Sequence, residues 1–139
     1  MKPHISLITL GVEDLEKSVD FYRALGLETP GIVGEEFEYG AVAFFELQGG
    51  LKLALWPNKN MAHDTGLVHQ IKGVSNITLG HNVNSKEEVD AVMLKAEAAM
   101  ARIIKPATDT FWGGYAGYFQ DPDNHVWEVV YNPAFVIPE

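Results

Sequence analysis

The chain has 139 residues, a formal charge of −9 from 10 Lys and Arg against 19 Asp and Glu, and no cysteine. That length makes one domain or two small modules, and the acidic balance repels phosphate-rich partners, so neither nucleic acid nor a membrane surface is an expected partner. Without thiols there are no disulfides, cysteine nucleophiles or Cys-based metal centres. Hydrophobic residues at 47% and charged residues at 21% are the mix of a chain that buries a core. The N-terminal run is interrupted by Gly11, Glu13 and Asp14. It is too short and polar for a signal peptide or a membrane span, which points to the cytoplasm.

The first apolar run, about residues 5–12, predicts a strand. Asp14 then stands as a helix N-cap ahead of Leu15, Val19, Tyr22 and Leu25 at helical spacing, with Gly26 as the stop. Thr29–Val33 predicts a short strand. Glu38–Leu47, the turn Gln48-Gly49-Gly50 and Leu51–Trp56 predict a hairpin closed by Pro57. The polar segment Asn58–Lys72 reads as a linker. A second strand is expected near 74–83, followed by Ser85-Lys86-Glu87-Glu88, a capping box that opens a helix with Val89, Val92, Met93 and Ala96 on one face. Ile103–Ile104 supplies a further strand. Gly114–Gln120, the turn Asp121-Pro122-Asp123-Asn124 and Val126–Tyr131 form a second hairpin, and Pro133–Glu139 is an ordered or fraying terminus.

The same order therefore occurs twice, β-α-β-β-β, and short identities reinforce it. Ser6-Leu7-Ile8-Thr9-Leu10-Gly11 matches Ser75-Asn76-Ile77-Thr78-Leu79-Gly80 at five of six positions with a spacing of 69 residues, and Val19-Asp20 matches Val89-Asp90 at 70. One residue is thus expected to be inserted after the first strand of the second copy. The expected fold class is α+β, with module one at about 4–57, a linker at 58–72 and module two at about 73–133.

A tandem repeat with Val12-Glu13-Asp14-Leu15-Glu16-Lys17-Ser18 running into Phe21-Tyr22 and Leu25-Gly26-Leu27, and with Phe119-Gln120-Asp121-Pro122-Asp123-Asn124-His125-Val126-Trp127-Glu128 near the end, resembles the vicinal oxygen chelate superfamily of glyoxalase I, bleomycin-resistance proteins and extradiol dioxygenases. Its strings Leu79–Val83, Thr110–Tyr115 and Trp127–Val129 followed by Asn132-Pro133 look like a bacterial glyoxalase-like subgroup. The resemblance implies a curled mixed sheet around a cup, a homodimer, and a small-molecule ligand. Two departures from the family pattern stand out: Asn124 replaces a turn glycine, and Met100 stands where a glycine would end the second helix.

Metalloenzymes of this superfamily place ligands on the first and last strands of each module. The resemblance maps those positions to Leu7, Ala54, Asn76 and Glu128. Two hydrocarbons, an amide and one carboxylate do not make the three or four donors a first-row divalent ion needs, so no metal cofactor is expected. A site relocated onto His4, His63, His69, His81 and His125 is the alternative.

Strand alternation places Leu7, Thr9, Ala54, Trp56, Asn76, Thr78, Asn82, Val126, Glu128 and Val130 toward the cup. Of these, Thr9, Trp56, Asn76, Thr78 and Asn82 are candidate substrate contacts; Leu7, Ala54, Val126 and Val130 read first as core. Glu128 is the first functional candidate, because an apolar strand has little reason to carry a carboxylate inward without a partner. It could act as a general acid or base, with Asn76 orienting a substrate carbonyl. Otherwise it is the relic of a metal site or the counter-ion of a ligand cation. His81 is a second catalytic candidate if the inserted residue forms a bulge, although strict parity turns it toward the helix. Trp112, Tyr115 and Tyr118, set among glycines, form either a pocket rim or lid, with the first two as substrate contacts, or a tight turn under a packed indole. The expected function is metal-independent binding of a small organic molecule, as sequestration of the resistance type or as acid–base catalysis at Glu128. The alternative is a metal-dependent glyoxalase I-type lyase or isomerase, or a dioxygenase. A third possibility is an interaction domain with a filled core.

Overall fold

The computed structural model describes residues 1–67, 76–135 and 137–138. The chain divides into two compact units, Met1–Lys72 and Gly73–Glu139, and each is an α+β assembly around a four-stranded mixed sheet.

In unit one, β1 (Leu7–Val12) leads into α1 (Leu15–Ala24), then β2 (Ile32–Val33), β3 (Val42–Glu46) and β4 (Lys52–Pro57). The strands lie in the order β1-β4-β3-β2, with β1 parallel to β4 and the other neighbours antiparallel. Asp14 caps α1 by accepting the Lys17 backbone N–H at 3.1 Å. At the other end, Gly26 takes a positive φ of 102° and its N–H, with that of Leu27, closes onto the carbonyls of Arg23 and Tyr22. That is a Schellman stop, which needs a left-handed residue after the helix. α1 buries Val19, Phe21 and Tyr22, and the Tyr22 ring meets Phe45 of β3 with centroids 6.0 Å apart. Burial on that side takes in Leu10, Ala43, Leu53 and Leu55.

The segment expected as a plain linker starts as a helix, α2 (Asn58–Thr65), ended by Gly66 in the left-handed region. It is held by side chains rather than by an apolar stripe: Asn60, buried, donates to the Ala41 carbonyl, and His63 stacks on Tyr39 at 3.8 Å. Polar composition hid it, because these contacts join residues some twenty positions apart. The end of the expected linker, and Val74 and Ser75, lie outside the described residues, as does His69.

Unit two repeats the plan with β5 (Thr78–Val83), α3 (Lys86–Ala98), β6 (Arg102–Asp109), β7 (Tyr115–Gln120) and β8 (Val126–Tyr131), in the order β5-β8-β7-β6. The Ser85 hydroxyl accepts the Glu88 N–H, and the Glu88 carboxylate reaches back to the N–H of Asn84, one residue beyond the ordinary capping-box partner. α3 buries Val89, Met93 and Ala96. It ends in the same Schellman pattern as α1, with the N–H groups of Met100 and Ala101 bonded to Glu97 and Ala96, and Met100 holds a φ of 72°. The missing glycine changes the residue and leaves the turn. β6 is longer than the two residues expected. The terminus is tied at Ile137, whose N–H and carbonyl both bond the Asn84 side chain.

The ladders correct the repeat spacing. Leu7 pairs with Lys52, and Thr78 pairs with Val126. β4 and β8 are equivalent at a spacing of 74, so Leu7 corresponds to Thr78, not to Asn76, and the N-caps Asp14 and Ser85 keep the same spacing of 71. No residue is inserted between strand and helix. The identity at 69 is a slip of two residues, which alternation cannot detect because it preserves the face of every side chain.

Candidate functional site

The turn from β7 to β8 sets up the site. Asp121, buried, accepts the backbone N–H groups of Asp123 and His125 with one carboxylate oxygen, both at 2.9 Å, and holds the His125 ring Nδ1 at 2.7 Å with the other. Asn124 completes the turn at a φ of 68°, a conformation asparagine tolerates better than most residues. This turn fixes the β7–β8 register: Tyr118 opposite Glu128, Ala116 opposite Val130 and Gln120 opposite Val126. β5 adds Thr78, Gly80 and Asn82 beside Val126, Glu128 and Val130. β6 adds Arg102, Lys105 and Thr108 beyond β7.

Alternation puts these side chains on one face. The other face belongs to α3, since Gly117 lies beneath Met93 and the Tyr115 hydroxyl donates to Asp90 at 2.8 Å. Phe119 and Trp127 stack there with centroids 6.2 Å apart. The face turned from α3 therefore carries buried Ala116, Val126 and Val130 around a half-buried pair, Glu128 and Tyr118.

The Tyr118 hydroxyl donates to Glu128 Oε2. The bond to the carboxylate, helped by burial, raises the Tyr118 pKa above its ordinary value, so at neutral pH the phenol is a donor. Among the described residues Tyr118 is the hydrogen-bond partner of this carboxylate, and it engages one oxygen. Oε1 is left for a ligand's N–H, O–H or ammonium group.

The candidates drawn from the sequence separate. Thr78 and Asn82 stand on the Glu128 face, while Asn76 precedes β5. Tyr115 is on the α3 face, bonded to Asp90, and so does not share a face with Glu128: the register, not the glycine-rich context, decides its direction. Trp112 lays its indole against the Gly114 backbone in the β6–β7 turn. His81 pairs with Val129, on the α3 side, as parity expects. It keeps much of its surface open, yet desolvation lowers its pKa against the opposing pull of Glu88, so its imidazole is neutral at pH 7. Thr9 and Trp56 share a face with Ala54 and Phe44 in unit one, the face turned from α1. Lys105, Arg102 and Gln120 join this face through the pairing of β6 with β7, which nothing local in the sequence marks. In the sequence Tyr118 is one aromatic among glycines, and only the β7–β8 pairing sets it against Glu128.

The positions at which a metal is expected can be tested by their donors. In unit one they are Leu7 and Ala54, both hydrocarbon. In unit two the ladder gives Thr78 and Glu128, a hydroxyl and a carboxylate already holding Tyr118. Among the described residues no three His, Asp or Glu side chains gather as a ligand set. These residues do not fit a first-row divalent ion.

The sequence matches the family model of the Glyoxalase/Bleomycin resistance protein/Dioxygenase superfamily over residues 4–129. The chain belongs to that superfamily. It is 27% identical over 125 residues to metallothiol transferase FosB of Shouchella clausii, covering 90% of this chain and 77% of that protein. A glyoxalase-related enzyme from Fulvimarina pelagi superposes with a TM-score of 0.84 at 32% identity, over 98% of this chain and 93% of that one. The fosfomycin resistance protein FosX from Listeria monocytogenes shares the fold, with a TM-score of 0.71 at 24% identity, over 95% of each chain. Among the described residues of this superfamily member, no helix is long and apolar enough to cross a membrane.

Proposed function

We propose that this superfamily member binds a small organic molecule on the sheet face of its second unit, at the Glu128–Tyr118 pair, without a divalent metal. The observation that carries this reading is the hydrogen-bonded phenol and carboxylate on a face where Ala116, Val126 and Val130 are apolar and buried and polar side chains, Lys105 among them, stand at the margin. Apolar walls with a few fixed polar groups are the composition of a small-molecule site. Tyr118 holds the carboxylate in one orientation, and Oε1 meets the ligand. An amine ligand would be sequestered there by charge and hydrogen bond. With a ligand carrying an acidic C–H or O–H, Glu128 would take the proton as general base while Tyr118 remains a neutral donor. The same reading makes the protein a cytoplasmic homodimer, which light scattering coupled to size exclusion tests for the assembly.

Untagged protein is incubated with Ni, Zn, Co, Mn and Fe(II), dialysed exhaustively and analysed by elemental mass spectrometry. The expected result is no retained ion. A thermal-shift screen of small molecules should then yield hits that raise the melting temperature of the wild type and not of Glu128→Gln. Retention of about one ion per chain would overturn the metal-free reading. It would favour metal-dependent thiol transfer, the second reading, which the likeness to metallothiol transferase FosB supports.

A further inference from the structure

On the opposite side of unit two, away from Glu128, a groove runs between α3 and β6. Its volume is about 510 Å³, within the range of roughly 300 to 1,000 Å³ for small-molecule sites. The sequence makes it in two ways. β6 carries two extra residues relative to β7: Ile103 pairs with Phe119, Lys105 with Tyr118 and Thr108 with Ala116, so five steps on one strand match three on the other. Such bulges bend a strand away from its partner, and Pro106, which has no N–H to give a ladder, sits in the bend. Beneath it lies Gly117, where a β-carbon would fall 2.9 Å from Met93 Cε and 3.1 Å from the Ala107 nitrogen. A side chain there would drive Met93 outward into the groove.

The helix wall presents Asp90, Met93, Leu94 and Glu97; the strand wall presents Ile103, Pro106 and Ala107. Leu94 is 66% exposed, a large apolar side chain left open in the middle of that wall. The two carboxylates stand seven residues apart on α3, nearly two full turns, so they lie on one side of the helix about 10 Å apart along its axis. No Lys or Arg lines the groove. Asp90 gives one oxygen to the Tyr115 hydroxyl, which anchors the carboxylate and leaves its other oxygen to the groove. The surface is therefore hydrocarbon in the centre and anionic at both ends.

We infer that this groove binds an elongated organic diamine, with a hydrocarbon body over Leu94 and Met93 and an ammonium group at each of Asp90 and Glu97. Each end gains a charge-assisted hydrogen bond, and the body removes Leu94 from water. The site is independent of the Glu128 face, so either can fail without the other.

The test uses the full chain, labelled with ¹⁵N, titrated at neutral pH with 1,8-diaminooctane, octylamine and octanoate while amide shifts are followed by NMR. The diamine should produce saturable shifts confined to residues 90–97 of α3 and 103–107 of β6. Its Kd should be at least about fivefold below that of octylamine, and octanoate should not bind. The pair Asp90→Asn with Glu97→Gln should weaken the diamine about tenfold or more, equivalent to about 1.4 kcal/mol, and Glu128→Gln should leave it unchanged. Leu94→Asn, which keeps both charges, should weaken diamine and octylamine alike; it decides the matter if the double variant does not fold. The inference is overturned by shifts centred on the Glu128 face, by octanoate binding as well as the amines, by equal affinity for octylamine and the diamine, or by full binding in the double variant. Concentration-dependent shifts at the groove without ligand would assign it to a second copy of this chain instead.

Discussion

Two positions of the same ladder separate the two units. In unit one β3 and β4 place Phe44 opposite Ala54; in unit two the equivalent strands place Tyr118 opposite Glu128. The layers behind them match: Phe45 and Phe119 are both buried under their helices, as are Leu55 and Val129. One scaffold thus carries a hydrocarbon pair in one copy and a hydrogen-bonded acid in the other. The packing against the helix is shared, and the opposite face is free to differ between the copies, hydrocarbon in one and a hydrogen-bonded acid in the other.

The largest test of that comparison puts the acid where it does not belong. Ala54 is 1% exposed, so Ala54→Glu should destabilise the chain by about 3 kcal/mol or more, since a buried carboxylate without a partner is costly. Adding Phe44→Tyr should recover part of the loss, read by chemical denaturation of both variants. If Ala54→Glu were tolerated as it stands, the two faces would not differ in the way described.

Glu128→Gln probes the other copy. Glu128 raises the Tyr118 pKa, chiefly through the hydrogen bond. In the variant the Tyr118 phenol should titrate closer to its ordinary value, measured by ultraviolet difference absorbance. Because the folded pKa is raised, the fold favours the neutral phenol. The stability this contributes is complete below the unfolded value of roughly 10 and is lost as pH rises through the folded value. Alkaline denaturation of the wild type should show that loss, and Glu128→Gln should show less of it.

The helix stops differ as well. Gly26 and Met100 occupy the same left-handed position at φ of 102° and 72°, and Met100 is 89% exposed. Met100→Gly should therefore stabilise unit two by about 0.5 to 1 kcal/mol: the left-handed strain it removes exceeds the extra chain entropy of glycine. Thermal unfolding should show a higher midpoint, whereas Gly26→Met should lower it. The smallest effect belongs to the end of the β3–β4 ladder, where Glu46 and Lys52 pair at 3.4 Å in unit one and the equivalents are Gln120 and Val126. Both charges are exposed, so Lys52→Met should change stability by less than about 0.5 kcal/mol. A larger change would mean that this terminal pair contributes to register.

Much of this architecture is legible in the chain. Asp14 and Ser85 announce both helices, the Asp121–Asn124 turn announces the last hairpin, and Glu128 stands out as a lone carboxylate in an apolar strand. The repeat was legible in kind and wrong in register, because Asn76 and Thr78 have the same parity and only the pairing with β8 tells them apart. α2 was illegible for a different reason: a helix held by Asn60 on Ala41 and His63 on Tyr39 has no apolar period to read. The bulges of β6, and the groove they open, leave no more trace in the sequence than Pro106 and Gly117.

What the sequence determined by itself is local: where helices start and stop, where strands alternate, and that two copies of one plan follow each other. These depend on caps, turn residues and periodicity within a few positions of one another. Which side chains meet was decided by the tertiary structure. Alternation says that Glu128 lies on one face and Trp127 on the other, but whether Tyr115 or Tyr118 reaches Glu128 depends on how β7 slides against β8. That register is set by the turn and by burial across the whole sheet, so the partner of Glu128 appears only when the strands are paired.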